Sequence, residues 1–166
     1  MSLERMVGAM AYLIREDDLS GPEIAELLDA HFVHALEHSP AESIHAFGVD
    51  RLRVPEITFW TVWSDGVLSG CGALLELSAT HGEIKSMHTS VSHRGRGVAT
   101  LVLEHILSVA GTRSYDRLSL ETGTMEAFAP ARALYSRFGF TPCAPFGDHV
   151  INPNSVCMTR HLRPSG

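Results

Sequence analysis

The sequence has only three cysteines, Cys71, Cys143 and Cys157, an odd number with no Cys-x-x-Cys spacing. That argues against a disulfide framework and predicts reduced, mostly buried thiols in a cytoplasmic protein. No run of about 18 apolar residues occurs, so no membrane span is expected. Glu4 and Arg5 precede a short apolar stretch, which is not the layout of a signal peptide. Positive charge is also scarce: 13 Lys and Arg against 19 Asp and Glu give a net charge of -6. This speaks against a general nucleic-acid binder and mildly favours a neutral or cationic partner.

The remaining composition is that of one domain. A chain of 166 residues, 45% apolar and 19% charged, is long enough to bury a sizeable core without cross-links. Residues 1–8 read as a peripheral N-terminal extension. Residues 9–14 read as a first strand, and a helix follows over Pro22 to His38, with Ser20 as its N-cap and Ile24, Leu27, Leu28, Phe32 and Leu36 on its apolar side. Residues 39–55, with two prolines, read as a loop containing at most one helical turn.

Two β-rich runs, Ile57–Ser64 and Val67–Leu77, flank the turn pair Asp65-Gly66 and predict a hairpin. A third antiparallel strand is expected over Glu83 to Thr89. Period-two alternation puts Glu83, Lys85, Met87 and Thr89 on one face of it. An apolar helix is predicted from Gly97 to Ala110, stopped by Gly111. A short strand from Arg117 to Glu121, a helix from Glu126 to Phe138 ending at Gly139, and a final strand from Ser155 to His161 complete a mixed sheet with helices on both faces.

The stretch Arg94-Gly95-Arg96-Gly97-Val98-Ala99-Thr100 joins a strand to a helix and has the makings of an anion site. First-turn N–H groups lack intrahelical partners, the helix dipole is positive there, glycine admits close backbone approach, and Arg94 and Arg96 add fixed charge. The chain has no Gly-x-x-x-x-Gly-Lys-Ser/Thr string, and Gly95-x-Gly97 is followed by Thr100, so neither a P-loop nor a dinucleotide fingerprint is complete.

The residual pattern, Arg94-x-x-Gly97-x-Ala99, resembles the acetyl-CoA loop of the GNAT N-acetyltransferases. Ala131-x-x-Leu134-Tyr135-x-x-x-Gly139-Phe140 resembles a second hallmark of that family. The order of elements is similar from about residue 9 onward, and the stretch from Cys143 to Thr159 is similar to a bacterial subgroup. The resemblance implies a mostly antiparallel α/β sheet, splayed between the strands at 83–89 and 117–121, and an acetyl-CoA-dependent N-acetyltransferase of direct transfer. It implies a small-molecule or peptide amine as acceptor, with no nucleic-acid or membrane partner; a homodimer is compatible with it. Transfer of another acyl group, or a non-catalytic acyl-CoA sensor, are the alternatives.

On the same resemblance, cofactor contacts fall on Met87, His88, Thr89, Arg94, Gly95, Arg96, Gly97, Val98, Ala99, Thr100 and Tyr135. The backbone of Met87 to Thr89 would pair with pantetheine, and Tyr135 would protonate the departing thiolate. Phe128 stands where many members carry a CoA-contacting Asn, and Val91 where many carry proline. An attacking amine must lose a proton, so a base is needed near the strand ends. Glu83, at the place of the glutamate base in one branch of the family, and Glu121, at a strand end, are rivals for that role. His88 and His149 are further titratable candidates, and Asp148 and His149 are candidate acceptor contacts. His31, His34 and His38 share one side of a helix, but with no His-Glu-x-x-His string or cysteine cluster no metal is expected.

Overall fold

The computed structural model describes residues 2–38 and 49–162, without the side chains of residues 35, 36 and 38. Eight strands form one sheet: β1 (Ser2–Val7), β2 (Met10–Glu16), β3 (Ile57–Ser64), β4 (Val67–Ser78), β5 (His81–Thr89), β6 (Arg117–Gly123), β7 (Thr141–Cys143) and β8 (Ser155–His161). Their spatial order is β1-β2-β3-β4-β5-β6-β8-β7, and all pairs are antiparallel except β5 with β6. The helices are α1 (Pro22–His38), α2 (Val49–Leu52), α3 (Val98–Thr112) and α4 (Ala129–Arg137). The expected loop at 39–48 lies outside the described residues, while 49–52 is indeed a single helical turn.

α3 and α4 cover one face and α1 and α2 the other. The period of α3 places Val98, Leu101, Val102, Ile106 and Ala110 against Leu74, Ile84, Leu118 and Leu120, a core closed by Leu134, Tyr135 and Phe140 of the α4 region. On the opposite face Ile24, Leu27 and Leu28 of α1 pack with Leu52, Phe59, Cys71 and Ala73. Phe32, expected on that apolar side, is instead 44% exposed.

Several sequence expectations are corrected. Residues 2–7 are not merely an extension: they pair with β2 in register from Ser2↔Arg15 to Val7↔Met10 and form the sheet's edge. Ser20 donates its hydroxyl hydrogen bond to Asp18 and does not cap α1. Gly111 does not stop α3, which runs to Thr112 and ends where Ser114 (φ 61°) turns left-handed. The Tyr115 N–H then reaches the Ala110 carbonyl at 3.0 Å and the Ser114 N–H that of Gly111 at 3.0 Å, a Schellman closure with serine in place of glycine. The helix expected over Glu126 to Phe138 is a 3-10 turn, Glu126–Phe128, followed by α4.

The most consequential difference lies in β5. Ala73 pairs with Lys85, but Cys71 pairs with His88, so Ser86 and Met87 together oppose Gly72 in a β-bulge. Ser86 takes φ 55°, and its carbonyl accepts the Cys71 thiol at 3.2 Å. An inserted residue reverses every later side chain. Glu83, Lys85 and His88 therefore face α1, whereas Met87 turns to α3, so the single face expected for Glu83, Lys85, Met87 and Thr89 is broken at Ser86.

Opposite the bulge, α3 sits close to the sheet over Gly72. A Cβ there would lie 2.5 Å from Val102 Cγ1 and 2.8 Å from Met87 Sδ. Gly72→Ala should therefore destabilise the protein by about 1–3 kcal/mol through overpacking, read from urea unfolding; an unchanged midpoint would show that α3 yields freely.

Candidate active site

β5 and β6 pair only at His81↔Arg117, Gly82↔Leu118 and Glu83↔Ser119. Past that point β5 continues along β4 and β6 along β8, and the two strands part. The gap is a cleft of about 410 Å³, within the range of small-molecule sites. The splay expected between these strands is thus present, and it opens toward their C-terminal ends.

The mouth of the cleft is the loop before α3. A 3-10 turn, Val91–His93, leads into it. The Ser90 N–H bonds the Ser69 carbonyl at 2.9 Å, and the buried His93 ring is held at Nδ1 by the hydroxyls of Ser90 (2.9 Å) and Ser92 (3.1 Å). Gly97, φ 84°, is the N-cap of α3 and offers no side chain to satisfy the first-turn N–H groups. Those of Val98, Ala99 and Thr100 stand at the positive end of a 15-residue helix. Arg94 and Ala99 line the cleft, while Val98 contributes only backbone because its side chain is core. Donors, dipole and guanidinium together suit a phosphate-bearing ligand.

Below the mouth, the cleft is lined on one side by Met87, His88 and Thr89 and on the other by Leu134 and Tyr135. Tyr135 is 6% exposed and packs edge-on to Phe140, with ring centroids 6.0 Å apart. Burial pushes its hydroxyl well above the ordinary tyrosine range, so it keeps its proton at neutral pH.

Deepest in the gap lies a charged cluster. The Glu83 carboxylate receives Lys85 Nζ at 3.0 Å and His149 Nε2 at 2.7 Å, both on Oε2. The other nitrogen of His149, Nδ1, is 3.4 Å from Glu121 Oε2. The side chains of all four residues are 10% exposed or less. Hydrogen bonds to Glu121 and then Glu83 raise the His149 pKa to about 9, against the opposing effect of burial. The imidazolium therefore bridges the two carboxylates, with Lys85 on the same oxygen of Glu83. Glu83 and Glu121, rivals on the sequence, are here joined by one ring.

His149 is delivered by the loop before β8, whose buried Phe146 packs edge to face with it, ring centroids 4.8 Å apart. Asp148, its neighbour, is exposed and does not line the cleft, so the structure does not bring that candidate to the site. Gly95, Arg96 and Thr100 lie in the loop and first helical turn beside the cleft. Sequence reasoning missed Lys85 as a cleft residue, along with the ring-bearing wall of His31 and His34. Their one signal, the helical spacing of His31 and His34, points as readily to solvent. Among the described residues no group of three metal-ligating side chains is assembled, and no helix is long and apolar enough to cross a membrane.

Known proteins are similar to this chain in sequence and in fold. A family model described as Acetyltransferase (GNAT) family matches residues 21–140. The chain is 54% identical over 149 residues to the Uncharacterized N-acetyltransferase YsnE of Bacillus subtilis (strain 168), spanning 90% of this chain and 99% of that one. It is 46% identical over 151 residues to the Uncharacterized N-acetyltransferase YedL of Escherichia coli (strain K12), spanning 91% and 95%. The crystal structure of the GNAT domain of S. lividans PAT superposes with a TM-score of 0.73 at 18% identity, covering 97% of each chain. A GNAT family acetyltransferase from Elizabethkingia anophelis, solved with acetyl-CoA bound, gives 0.67 at 16% identity, covering 91% of this chain and 98% of that one. A sheet split beside a helix N-terminus, a family match over most of the chain and two near-full-length relatives named as N-acetyltransferases lead to one conclusion: the chain belongs to the GNAT family of acetyltransferases.

Proposed function

We propose that this protein is a cytoplasmic, acetyl-CoA-dependent N-acetyltransferase that moves an acetyl group directly to a primary amine of a small molecule or peptide. The observation that carries the reading is the combination of an anion-binding helix N-terminus at the mouth of the β5/β6 split with a carboxylate cluster at its base. The acetyl-CoA seen in a protein of the same fold supports it, and three free cysteines suit a reducing compartment.

The residues fit such a co-substrate. The N–H groups of Val98 to Thr100, with Arg94 and Arg96, would hold the pyrophosphate, and the edge of β5 from Met87 to Thr89 would pair with the pantetheine amides in the place β6 has vacated. When bound, acetyl-CoA supplies a thioester carbonyl open to attack by an amine. Backbone N–H groups within Met87 to Thr89 hydrogen-bond that carbonyl oxygen as negative charge grows on it. Glu83 or Glu121, directly or through a water, takes the ammonium proton, and His149 between them spreads the added charge over both carboxylates. Tyr135, held protonated by burial, donates to the departing thiolate.

Three outcomes are expected. Acetyl-CoA should bind with an enthalpy readable by titration calorimetry, and an acceptor screen following release of free CoA should find at least one amine that is turned over; neither binding nor release would refute the reading. Tyr135→Phe should lower kcat by about 10² with a small change in KM for acetyl-CoA, and an unaltered kcat with chemistry rate-limiting would remove the acid role. The third concerns His149. Its pKa rises from 6.5 unfolded to about 9 folded, so its contribution to stability is full below about pH 6.5 and is lost as pH rises through 9. The Tm difference between the wild type and His149→Gln should therefore shrink from pH 6 to pH 10, whereas a constant difference would show that the bridge is not ionic.

A further inference from the structure

The cleft has a second wall, built of rings. His31 and His34 on α1 meet His88, which the Ser86 bulge turns toward α1, and Phe128, in the 3-10 turn before α4. Ring centroids are 5.0 Å apart for His31 and His88, 6.4 Å for His34 and His88, and 5.5 Å for His34 and Phe128, all edge to face. These four rings and the carboxylates of Glu83 and Glu121 line one and the same cleft.

Two of the imidazoles in the wall are uncharged. The Nδ1 atoms of His31 and His88 stand 3.1 Å apart, which requires one to carry a proton and the other a lone pair. Burial, helped by the neighbouring His34, lowers His31 to about 4, and burial with His31 and Arg94 lowers His88 to about 3. Both are neutral imidazoles at pH 7, presenting π faces and edges in place of charge.

The amine end of an acceptor lying on that wall would meet Glu83 and Glu121, the acidic groups among the described lining residues.

We propose that the acceptor is a primary amine bearing an aromatic ring, its ring against His31, His34, His88 and Phe128 and its nitrogen toward Glu83 and Glu121. This rests on the N-acetyltransferase reading above. The step balances in the same way: the amine nitrogen bonds to the acetyl carbon, the carbon–sulfur bond breaks, the ammonium proton goes to the carboxylate pair, and the thiolate takes a proton from Tyr135.

The test compares phenethylamine with cyclohexylethylamine, its saturated counterpart, and with spermidine and kanamycin, by initial rates of CoA release. The ring proposal expects kcat/KM for phenethylamine to exceed each of the others by about tenfold or more. His34→Ala should raise KM for phenethylamine about tenfold and move KM for acetyl-CoA by less than about twofold, and His34→Phe, which keeps a ring, should restore the former. Equal use of cyclohexylethylamine, or a preference for spermidine or kanamycin, overturns the proposal while leaving the transferase standing. Turnover of none of these four amines, with some other amine of the acceptor screen used, also overturns the ring proposal alone; absence of both acetyl-CoA binding and CoA release with every amine overturns both.

Discussion

The structure depends on a place where a sheet stops pairing with itself. Buried backbone N–H and C=O groups left without partners are costly, by about 1–3 kcal/mol each. Yet β5 and β6 give up their ladder after Glu83↔Ser119 in the middle of the domain. The separation is sustained by the extra residue at Ser86, whose left-handed backbone bends β5 and whose carbonyl takes the Cys71 thiol hydrogen bond. The vacated edge faces a cleft where water or a ligand strand can take up its hydrogen bonds. α3 begins at the mouth of that cleft and α4 closes its far side, so the placement of anion site, tyrosine and carboxylates all follows from the divergence.

The bulge has an electrostatic consequence as well. It keeps Glu83 and Lys85 facing α1 while bringing His88 to the same side, so that one face of one strand contributes to both the ionic cluster and the ring wall. Burying two carboxylates in a narrow gap is tolerable only because His149 and Lys85 neutralise them through charge-assisted hydrogen bonds. The same ring nitrogens couple the carboxylates, so a proton delivered to either is felt by both.

Much of the fold was legible in the sequence because local chemistry and global pattern agreed. Asp65-Gly66 between β-rich runs marked the β3–β4 hairpin, and the spacing of Val98, Leu101, Val102 and Ile106 marked α3 to within a turn. The edges were not legible: β1 is exposed over five of its six residues and so carries no alternation, and β7 is three residues long with Pro142 at its centre. The bulge escaped because Ser86 has no propensity for positive φ; tertiary pairing imposes it, and period-two reasoning therefore placed Met87 on the wrong face. The loop at Arg94–Thr100 was visible because its two glycines, two arginines and helix start are adjacent in sequence. The Glu83–His149 bond joins residues 66 apart in sequence, and no local pattern announces it.

On this reading the unpaired edge of β5 and the N-terminus of α3 form one binding surface for acetyl-CoA. Amide hydrogen exchange of the protein with and without acetyl-CoA tests it most directly. The account predicts slowed exchange concentrated at Met87 to Thr89 and at Gly95 to Thr100, with β1 to β3 unaffected. Protection confined to other segments, or none at saturating acetyl-CoA, would contradict it.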